Sequence, residues 1–95
     1  MEENNRIIEM GEFTKSNINR FSERLKEKDK LLYIRFPDSI AIIDYLKLRI
    51  EMQRIRNDNL ELLSQKQYGK SYYELIVKEK KIIVALMGNY IIERN

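Results

Sequence analysis

The segment from Asp38 to Leu62 constrains the fold most strongly, because its apolar residues lie on two opposite faces of a helix. One face is a heptad seam, with residues spaced alternately four and three apart. This heptad seam consists of Ala41, Tyr45, Leu48, Met52, Ile55, Asn59 and Leu62. The second face holds Ile43, Leu46 and Ile50 and lies roughly half a turn away, at about 100° per residue. Since a helix that is apolar on two sides needs neighbours on both, we expect a second copy of the chain to cover one of them.

The length and composition of the chain also favour association. A 95-residue chain forms one domain, residues 1–95, with a polar and flexible lead-in over residues 1–13. A domain of this size buries too little surface to be very stable alone, and disulfides, a metal or a partner chain commonly compensate. The chain has no Cys and no His, which leaves association as the remedy. The sequence therefore predicts a homodimer.

Glycine, proline and capping residues divide the chain into four elements, and the predicted fold class is mostly α. The elements are a short N-terminal helix over residues 14–28, one short strand over 31–36, a long central helix from Pro37 or Asp38 to about Lys66, and a C-terminal helix over 72–87. Gly69 suits the position that ends the central helix, and Ser71 with Glu74 forms a capping box before the last one. Because residues 76–84 are rich in β-branched side chains, strands remain the alternative for residues 72–94.

The predicted strand has an inward and an outward face, because strand side chains alternate. The inward set is Leu32, Ile34 and Phe36, and the outward set is Leu31, Tyr33 and Arg35. A lone strand leaves its backbone groups unpaired, and the tail over residues 90–92 is a poor partner for it. We therefore expect the strand to pair with that of a second copy. The predicted dimer interface comprises Leu32, Ile34, Phe36, Tyr45, Leu48, Met52, Ile55, Asn59 and Leu62.

Positive charge concentrates before and within this strand. Residues 15–35 hold seven cations against three carboxylates, in a chain whose net charge is +3. In the first helix Arg20, Arg24 and Lys28 lie four apart and form a cationic row. Such a patch attracts phosphates or an acidic partner, although an ordinary solvated surface has the same pattern.

Signatures of catalysis are missing from the sequence. It contains no nucleophile with a histidine base, no glycine-rich phosphate loop and no metal-ligand spacing. The carboxylates of the central helix alternate with cations along one stripe, which is typical of a solvated flank. We therefore predict that the chain is not an enzyme and uses no cofactor or metal.

Targeting features are also missing. The first residues, Met1 to Asn5, are acidic and polar, unlike a secretory signal. No apolar run reaches the roughly 18–20 residues that cross a bilayer. Together with the absence of Cys, this predicts a cytoplasmic protein without a membrane partner.

The stretch from Leu31 to Phe36, followed by Pro37-Asp38, a helix and the run Gly69 to Ile76, resembles the ribbon-helix-helix family of DNA-binding proteins. The resemblance covers about residues 30–87 and implies an intertwined dimer whose strands form an antiparallel ribbon in the major groove. Leu31, Tyr33 and Arg35 would then be the outward ribbon positions, and Ser71 would open the phosphate-binding helix. The sequence departs from the family in two ways. The first helix and loop, Pro37 to Ser71, are roughly fifteen residues longer than usual, and the ribbon offers only one charged residue.

A second resemblance covers the residues upstream. The run from Thr14 to Leu25, followed by Leu31-Leu32, is similar to a winged-helix recognition helix and its strand. Too few residues precede Thr14 for the two supporting helices, and no wing hairpin follows Phe36. An ordinary amphipathic helix is the alternative for this stretch.

Two functions follow from these patterns. The first is a small dimeric DNA-binding protein, a transcriptional repressor or a partition or accessory factor of a mobile element. Its DNA-binding residues would be Arg20, Arg24, Lys28, Lys30, Tyr33, Arg35 and Ser71. The alternative is a helical protein-interaction module, an inhibitor or assembly factor, that uses its heptad seam and binds no nucleic acid.

Overall fold

The computed structural model describes residues 7–27 and 31–93 as a mostly helical fold with a small parallel sheet. The elements in chain order are β1 (Ile7–Glu9), α1 (Lys15–Leu25), β2 (Leu31–Arg35), α2 (Ile42–Tyr68), a 3₁₀ helix (Tyr72–Glu74), α3 (Val77–Ala85) and β3 (Asn89–Glu93). The predicted order of helix, strand, long helix and helix is confirmed, and the described part of the chain contains two strands beyond the single one that was predicted.

The sheet contains three strands in the order β1-β2-β3, and both pairs are parallel. Tyr33 at the centre of β2 lies opposite Ile7 on one side and Ile91 on the other. The expectation that β2 pairs with a second copy is therefore wrong in this structure, because both of its backbone edges are occupied by strands of its own chain. The tail over residues 90–92, judged a poor partner from the sequence, lies within β3.

The two faces of β2 are as the alternation predicts. Leu32, Ile34 and Phe36 are buried, whereas the side chains of Leu31, Tyr33 and Arg35 are half-buried on the opposite, open face. The buried face packs on the helices, since it joins Phe21, Leu25, Leu48, Met52 and Ile83 in one core cluster. A parallel sheet with a single covered face is unusual, because crossover helices normally cover both.

Helix α1 begins within one residue of its predicted start and is capped by a side chain. The Thr14 hydroxyl accepts a hydrogen bond from the Asn17 amide at 3.2 Å, so Thr14 is the N-cap. Phe21 and Leu25 of its narrow apolar stripe are fully buried. The chain then returns toward the sheet, and the Leu25 carbonyl accepts a hydrogen bond from the Gly88 amide at 3.0 Å.

Helix α2 begins later than predicted and ends as predicted. Pro37 and Asp38 form a turn, in which the Ile40 amide donates to the Pro37 carbonyl at 3.1 Å, and the helix begins at Ile42. The position before it is Ala41, whose side chain cannot cap, so the predicted start at Pro37 or Asp38 is wrong. Gly69 ends the helix with a left-handed φ of 68°, and its amide donates to the Gln65 carbonyl at 2.9 Å.

The C-terminal region combines the two alternatives considered for it. Instead of one helix over residues 72–87, the chain forms the short 3₁₀ helix, breaks at Leu75 and Ile76, and continues as α3 and then β3. The Glu74 carboxylate accepts from the Ser71 amide at 3.1 Å, which is one half of the predicted capping box. The Glu79 carboxylate accepts from the Ile76 amide at 3.2 Å in the same way, so α3 has its own acidic cap.

The heptad seam packs inside one chain rather than between two. Leu48, Met52 and Ile55 are buried in the core of their own chain, and Tyr45 packs edge-on against Phe36 with ring centroids 5.0 Å apart. Leu32, Ile34 and Phe36 lie in the same core. Asn59 is half-buried and Leu62 is 69% exposed. The predicted dimer interface is therefore wrong for these buried residues, because β1, β3, α1 and α3 cover what a second copy was expected to cover.

Candidate interaction surface

The residues predicted to bind DNA lie on different elements of the fold. Arg20 and Arg24 lie on α1, Tyr33 and Arg35 on the open face of the sheet, and Ser71 before the 3₁₀ helix, whereas Lys28 and Lys30 lie outside the described residues. Arg20 Nη2 donates to the Glu9 carbonyl at 2.8 Å and to Asn17 Oδ1 at 3.1 Å. Two predicted phosphate ligands therefore share a helix, and Arg20 is held within the chain.

Arg35, the predicted base reader, is held by carboxylates on both sides. Its guanidinium forms an ion pair with Glu93 of β3 at 3.0 Å and another with Glu9 of β1 at 3.8 Å. The register places these three residues in one row across the sheet. The structure thus brings both Arg20 and Arg35 to Glu9, Arg20 to its backbone carbonyl and Arg35 to its carboxylate. The row places two carboxylates beside the Arg35 guanidinium, which was expected to meet a base.

The helix start at Ser71 is also occupied from within the chain. The Glu61 carboxylate of α2 accepts hydrogen bonds from the Tyr72 amide at 3.0 Å and from the Ser71 hydroxyl at 3.1 Å. The hydrogen bond from the Tyr72 amide is the main cause that lowers the pKa of Glu61. Hydrogen bonds from the side chains of Gln65 and Ser71 lower it further. A carboxylate therefore takes the position that the family resemblance gives to a phosphate.

The outward face of α2 exposes a row of large aliphatic side chains, which we call the outward stripe. It consists of Ile42, Ile43, Leu46 and Ile50, which are 77%, 59%, 49% and 68% exposed. The buried heptad seam lies on the other side of the same helix turns. The prediction that the first half of this helix is apolar on two faces is thus confirmed, and one chain covers only one of them.

A groove of about 630 Å³ separates α2 from β3 and continues the outward stripe. Its lining residues are Leu46, Arg49, Ile50, Gln53, Arg56, Asn57, Asn89, Tyr90 and Ile92. Leu46, Ile50 and Ile92 make part of the wall apolar, and two arginines make another part cationic. None of these lining residues is acidic, so the groove can accept a partner that combines apolar and acidic side chains.

The two arginines of the groove flank Tyr90. Arg49 donates to the Tyr45 hydroxyl at 3.2 Å, and Arg56 Nε donates to Asn89 Oδ1 at 3.3 Å. Burial raises the pKa of the Tyr90 hydroxyl, while the positive charges of Arg56 and Arg49 act in the opposite direction. The Tyr90 ring packs edge-on against Phe21 at 5.1 Å, which fixes this wall of the groove to the core.

The strand that borders the groove is at the edge of the sheet. Among the described residues β3 pairs with β2 alone. The Tyr90 amide donates at 2.8 Å to the side chain of its neighbour Asn89, which indicates that this amide points away from β2. Asn89 Oδ1 therefore joins the strand edge to Arg56 of α2.

The apolar stripe was predictable from the sequence, whereas the groove was not. Arg49 and Arg56 lie seven residues apart, a spacing that places them on one helix face, but a helix face alone does not indicate what lies opposite. The missing information was the position of β3. Its signal was the run of β-formers from Tyr90 to Ile92, considered for pairing and set aside in favour of a second copy.

The chain matches no protein-family model, no curated protein and no solved structure. In the described part of the chain, no helix combines the length and apolar character needed to cross a bilayer. Among the same residues, no three acidic side chains are grouped so that they could hold a metal ion.

Proposed function

We propose that this protein is a protein-interaction module whose docking surface is the outward stripe of α2 together with the groove between α2 and β3. The observation that supports it is the exposure of four large aliphatic residues in a row on a helix whose other face already forms the core. Contiguous exposed apolar surface of this kind marks protein interaction sites on soluble proteins.

The composition of the surface also favours a polypeptide partner. Interfaces combine an apolar centre with a polar rim, and Arg and Tyr are enriched among the residues that dominate binding. Here Leu46 and Ile50 would form the centre, and Arg49, Arg56 and Tyr90 would form the polar side. A DNA-binding surface needs cations free to meet phosphates, whereas Arg35 is paired with the carboxylates of Glu9 and Glu93. Arg49 and Arg56 donate only to neutral groups in the contacts described above, the Tyr45 hydroxyl and the Asn89 amide oxygen, so these contacts do not neutralise their charge.

Site-specific photo-crosslinking in the cells that express the chain tests the proposal. A photoreactive amino acid at Leu46 should give protein adducts, including adducts with a second copy. The same probe at Gln67, an exposed position on the last turn of the same helix, is the control and should give few. Equal yields at both positions would contradict the proposal.

Titration with duplex DNA tests the competing function. Phosphate contacts are strongest at low salt, so about 50 mM salt is the most sensitive condition for detecting DNA binding. Under this condition the protein should leave the electrophoretic mobility of the duplex unchanged. Binding that weakens log-linearly as salt rises, together with no crosslink at Leu46, would replace the interaction module with a DNA-binding protein.

A further inference from the structure

We propose that the partner of this surface is a second copy of the chain, joined strand to strand through an antiparallel β3–β3 pair centred on Ile91. This inference rests on the proposed function and identifies its partner. The pairing would extend the sheet from three strands to six and would close the edge that β3 leaves open.

The strand register follows from the backbone of β3. The Tyr90 amide points away from β2, and because successive residues of a strand alternate, the Ile92 amide points the same way. In an antiparallel ladder every second pair of opposite residues exchanges both backbone hydrogen bonds, and the pairs between them exchange none. The outward groups of Tyr90 therefore fit those of Ile92 in the second copy, and those of Ile92 fit Tyr90, which places Ile91 opposite its own counterpart. On pairing, the Tyr90 amide would exchange its bond to Asn89 Oδ1 for one to the Ile92 carbonyl of the second copy.

The side chains on the open face complement one another in this register. Ile91, which is 47% exposed, would meet the Ile91 of the second copy on the two-fold axis. Asn89 would lie opposite Glu93 of the second copy on the same face. Glu93 Oε1 accepts from Arg35 of its own chain, so its other carboxylate oxygen would be the one that meets, across the junction, the Arg56 that donates to Asn89. Symmetry would provide this pair twice.

The same two-fold axis would also bring the outward stripes together. An axis perpendicular to a continuous sheet leaves the helices of both copies on one face, so the two α2 helices would lie across the β3–β3 junction from each other. Leu46 and Ile50 line the groove beside β3, on the side that would face the second copy. One partner thus covers both the open strand edge and the apolar stripe.

Charge also favours a second copy. Among the residues that the structure describes, the lining of the groove includes Arg49 and Arg56 and no carboxylate, so we expect the partner to supply one at the polar end of the groove. Glu93 of a second copy supplies one at the position that the register fixes. An acidic segment of another protein is the competing occupant, and the experiment below separates the two.

Single-cysteine variants test the register, because the chain contains no cysteine of its own. A pair without mutual backbone hydrogen bonds, as Ile91 would form, has its Cα atoms about 4.5 Å apart, within the range of about 4.4–6.8 Å that a disulfide requires. Under mild oxidation Ile91→Cys should convert most of the protein to a covalent dimer. The control is Ile82→Cys, which is similarly exposed on α3 at 42%. After the same oxidation it should form no covalent dimer, so reducing and non-reducing denaturing gels should both show a monomer band.

Light scattering on the unmodified chain supplies the mass, which should be that of two copies. Arg56→Glu should weaken association about tenfold, since it places a carboxylate against Glu93 of the second copy. Lys66→Glu makes the same charge change at an exposed position farther along α2 and should leave association unchanged.

The outcomes distinguish the two proposals. A dimer that forms no disulfide at Ile91 overturns the strand register and leaves the docking surface in place. A monomer overturns the second copy as partner, and a Leu46 crosslink to another protein would then identify the competing occupant. A monomer without a preferential crosslink at Leu46 overturns the docking surface as well.

Discussion

The Arg35 guanidinium donates two hydrogen bonds to one carboxylate oxygen of Glu93, from Nε at 3.2 Å and from Nη2 at 3.0 Å. The two residues are 58 positions apart in the sequence, and the bonds connect the central strand to the last one. Glu9 on the first strand lies on the other side of the guanidinium. Arg35 therefore stabilises the open face of the sheet, in addition to any role in binding.

Removal of this guanidinium should destabilise the fold slightly. Arg35→Ala should lower the free energy of unfolding by about 0.5–1 kcal/mol, because partly exposed ion pairs are screened by water and contribute little. Urea denaturation measures the change, and Lys81→Ala, at an exposed position on α3, is the control and should have no effect. If Arg35→Ala left stability unaltered, the Arg35 contacts would be incidental to the fold.

Glu61 should make stability depend on pH in the acidic range. Its pKa is lowered in the folded state, first by the Tyr72 amide hydrogen bond. A carboxylate with a lowered folded-state pKa contributes stability above its unfolded pKa of about 4.3, and this contribution is lost as pH falls through the folded value. Denaturation at about pH 6 and about pH 3 should show a smaller pH dependence for Glu61→Gln than for the unmodified chain.

The control for Glu61 is the same substitution at an exposed carboxylate. Glu23→Gln on α1 should leave the pH dependence as it is. Equal pH dependence in the unmodified chain and in Glu61→Gln would mean that the carboxylate does not hold the start of the 3₁₀ helix in solution.

Local signals in the sequence predicted most of the helices and the central strand. The Thr14 hydroxyl caps the start of α1, and Gly69 adopts the left-handed backbone that ends α2. The alternation around Leu32 and Ile34 predicted the buried face of β2 correctly. These features depend on residues within a few positions of one another, so a single sequence contains them.

The long-range arrangement could not be predicted in the same way. The β-formers from Tyr90 to Ile92 are a weak signal, and nothing local states that they pair with residues 32–34. The heptad seam looked like a contact between copies because a heptad pattern does not reveal whether the apolar neighbour belongs to the same chain. The groove was missed for the same reason, since it exists only once β3 lies beside α2.

The glycine that ends α2 should resist substitution. Gly69→Ala should cost about 1 kcal/mol in unfolding free energy, because a left-handed backbone brings a Cβ too close to its own carbonyl oxygen. Apart from its two chain neighbours, no described residue has an atom within 4 Å of the added Cβ, so the cost would be due to backbone conformation alone. Gly11→Ala is the control, where the added Cβ would meet Pro37 Cγ at an ordinary 3.5 Å. Similar stabilities for the two variants would contradict this account of the helix end.

The amide of Asn59 should be replaceable with a gain in stability. Its Nδ2 is buried without a hydrogen-bond partner, and an unsatisfied buried donor costs about 1–3 kcal/mol. Asn59 borders a cavity of about 190 Å³ lined mainly by Leu62, Leu63, Leu86 and Met87, which can accommodate an aliphatic side chain. Asn59→Leu should therefore raise the free energy of unfolding by about 1 kcal/mol, measured by chemical denaturation. Gln67→Leu, at an exposed position of α2 that does not line the groove, is the control and should change it little. A loss of stability in Asn59→Leu would show that the amide is satisfied in solution.

Truncation on the two faces of α2 should destabilise the single chain to very different extents. Leu48 is fully buried and Ile50 is 68% exposed, although only one residue separates them. Leu48→Ala should lower the free energy of unfolding by about 2–5 kcal/mol, because it leaves a cavity in the core. Ile50→Ala should change the stability of the single chain by no more than about 0.5 kcal/mol, as exposed substitutions do. Denaturation at protein concentrations low enough to disfavour association measures both. We expect Ile50→Ala to become destabilising only as the protein concentration rises, because association would then bury Ile50. A large loss of stability at every concentration would instead place Ile50 in the core and would contradict the exposure of the outward stripe.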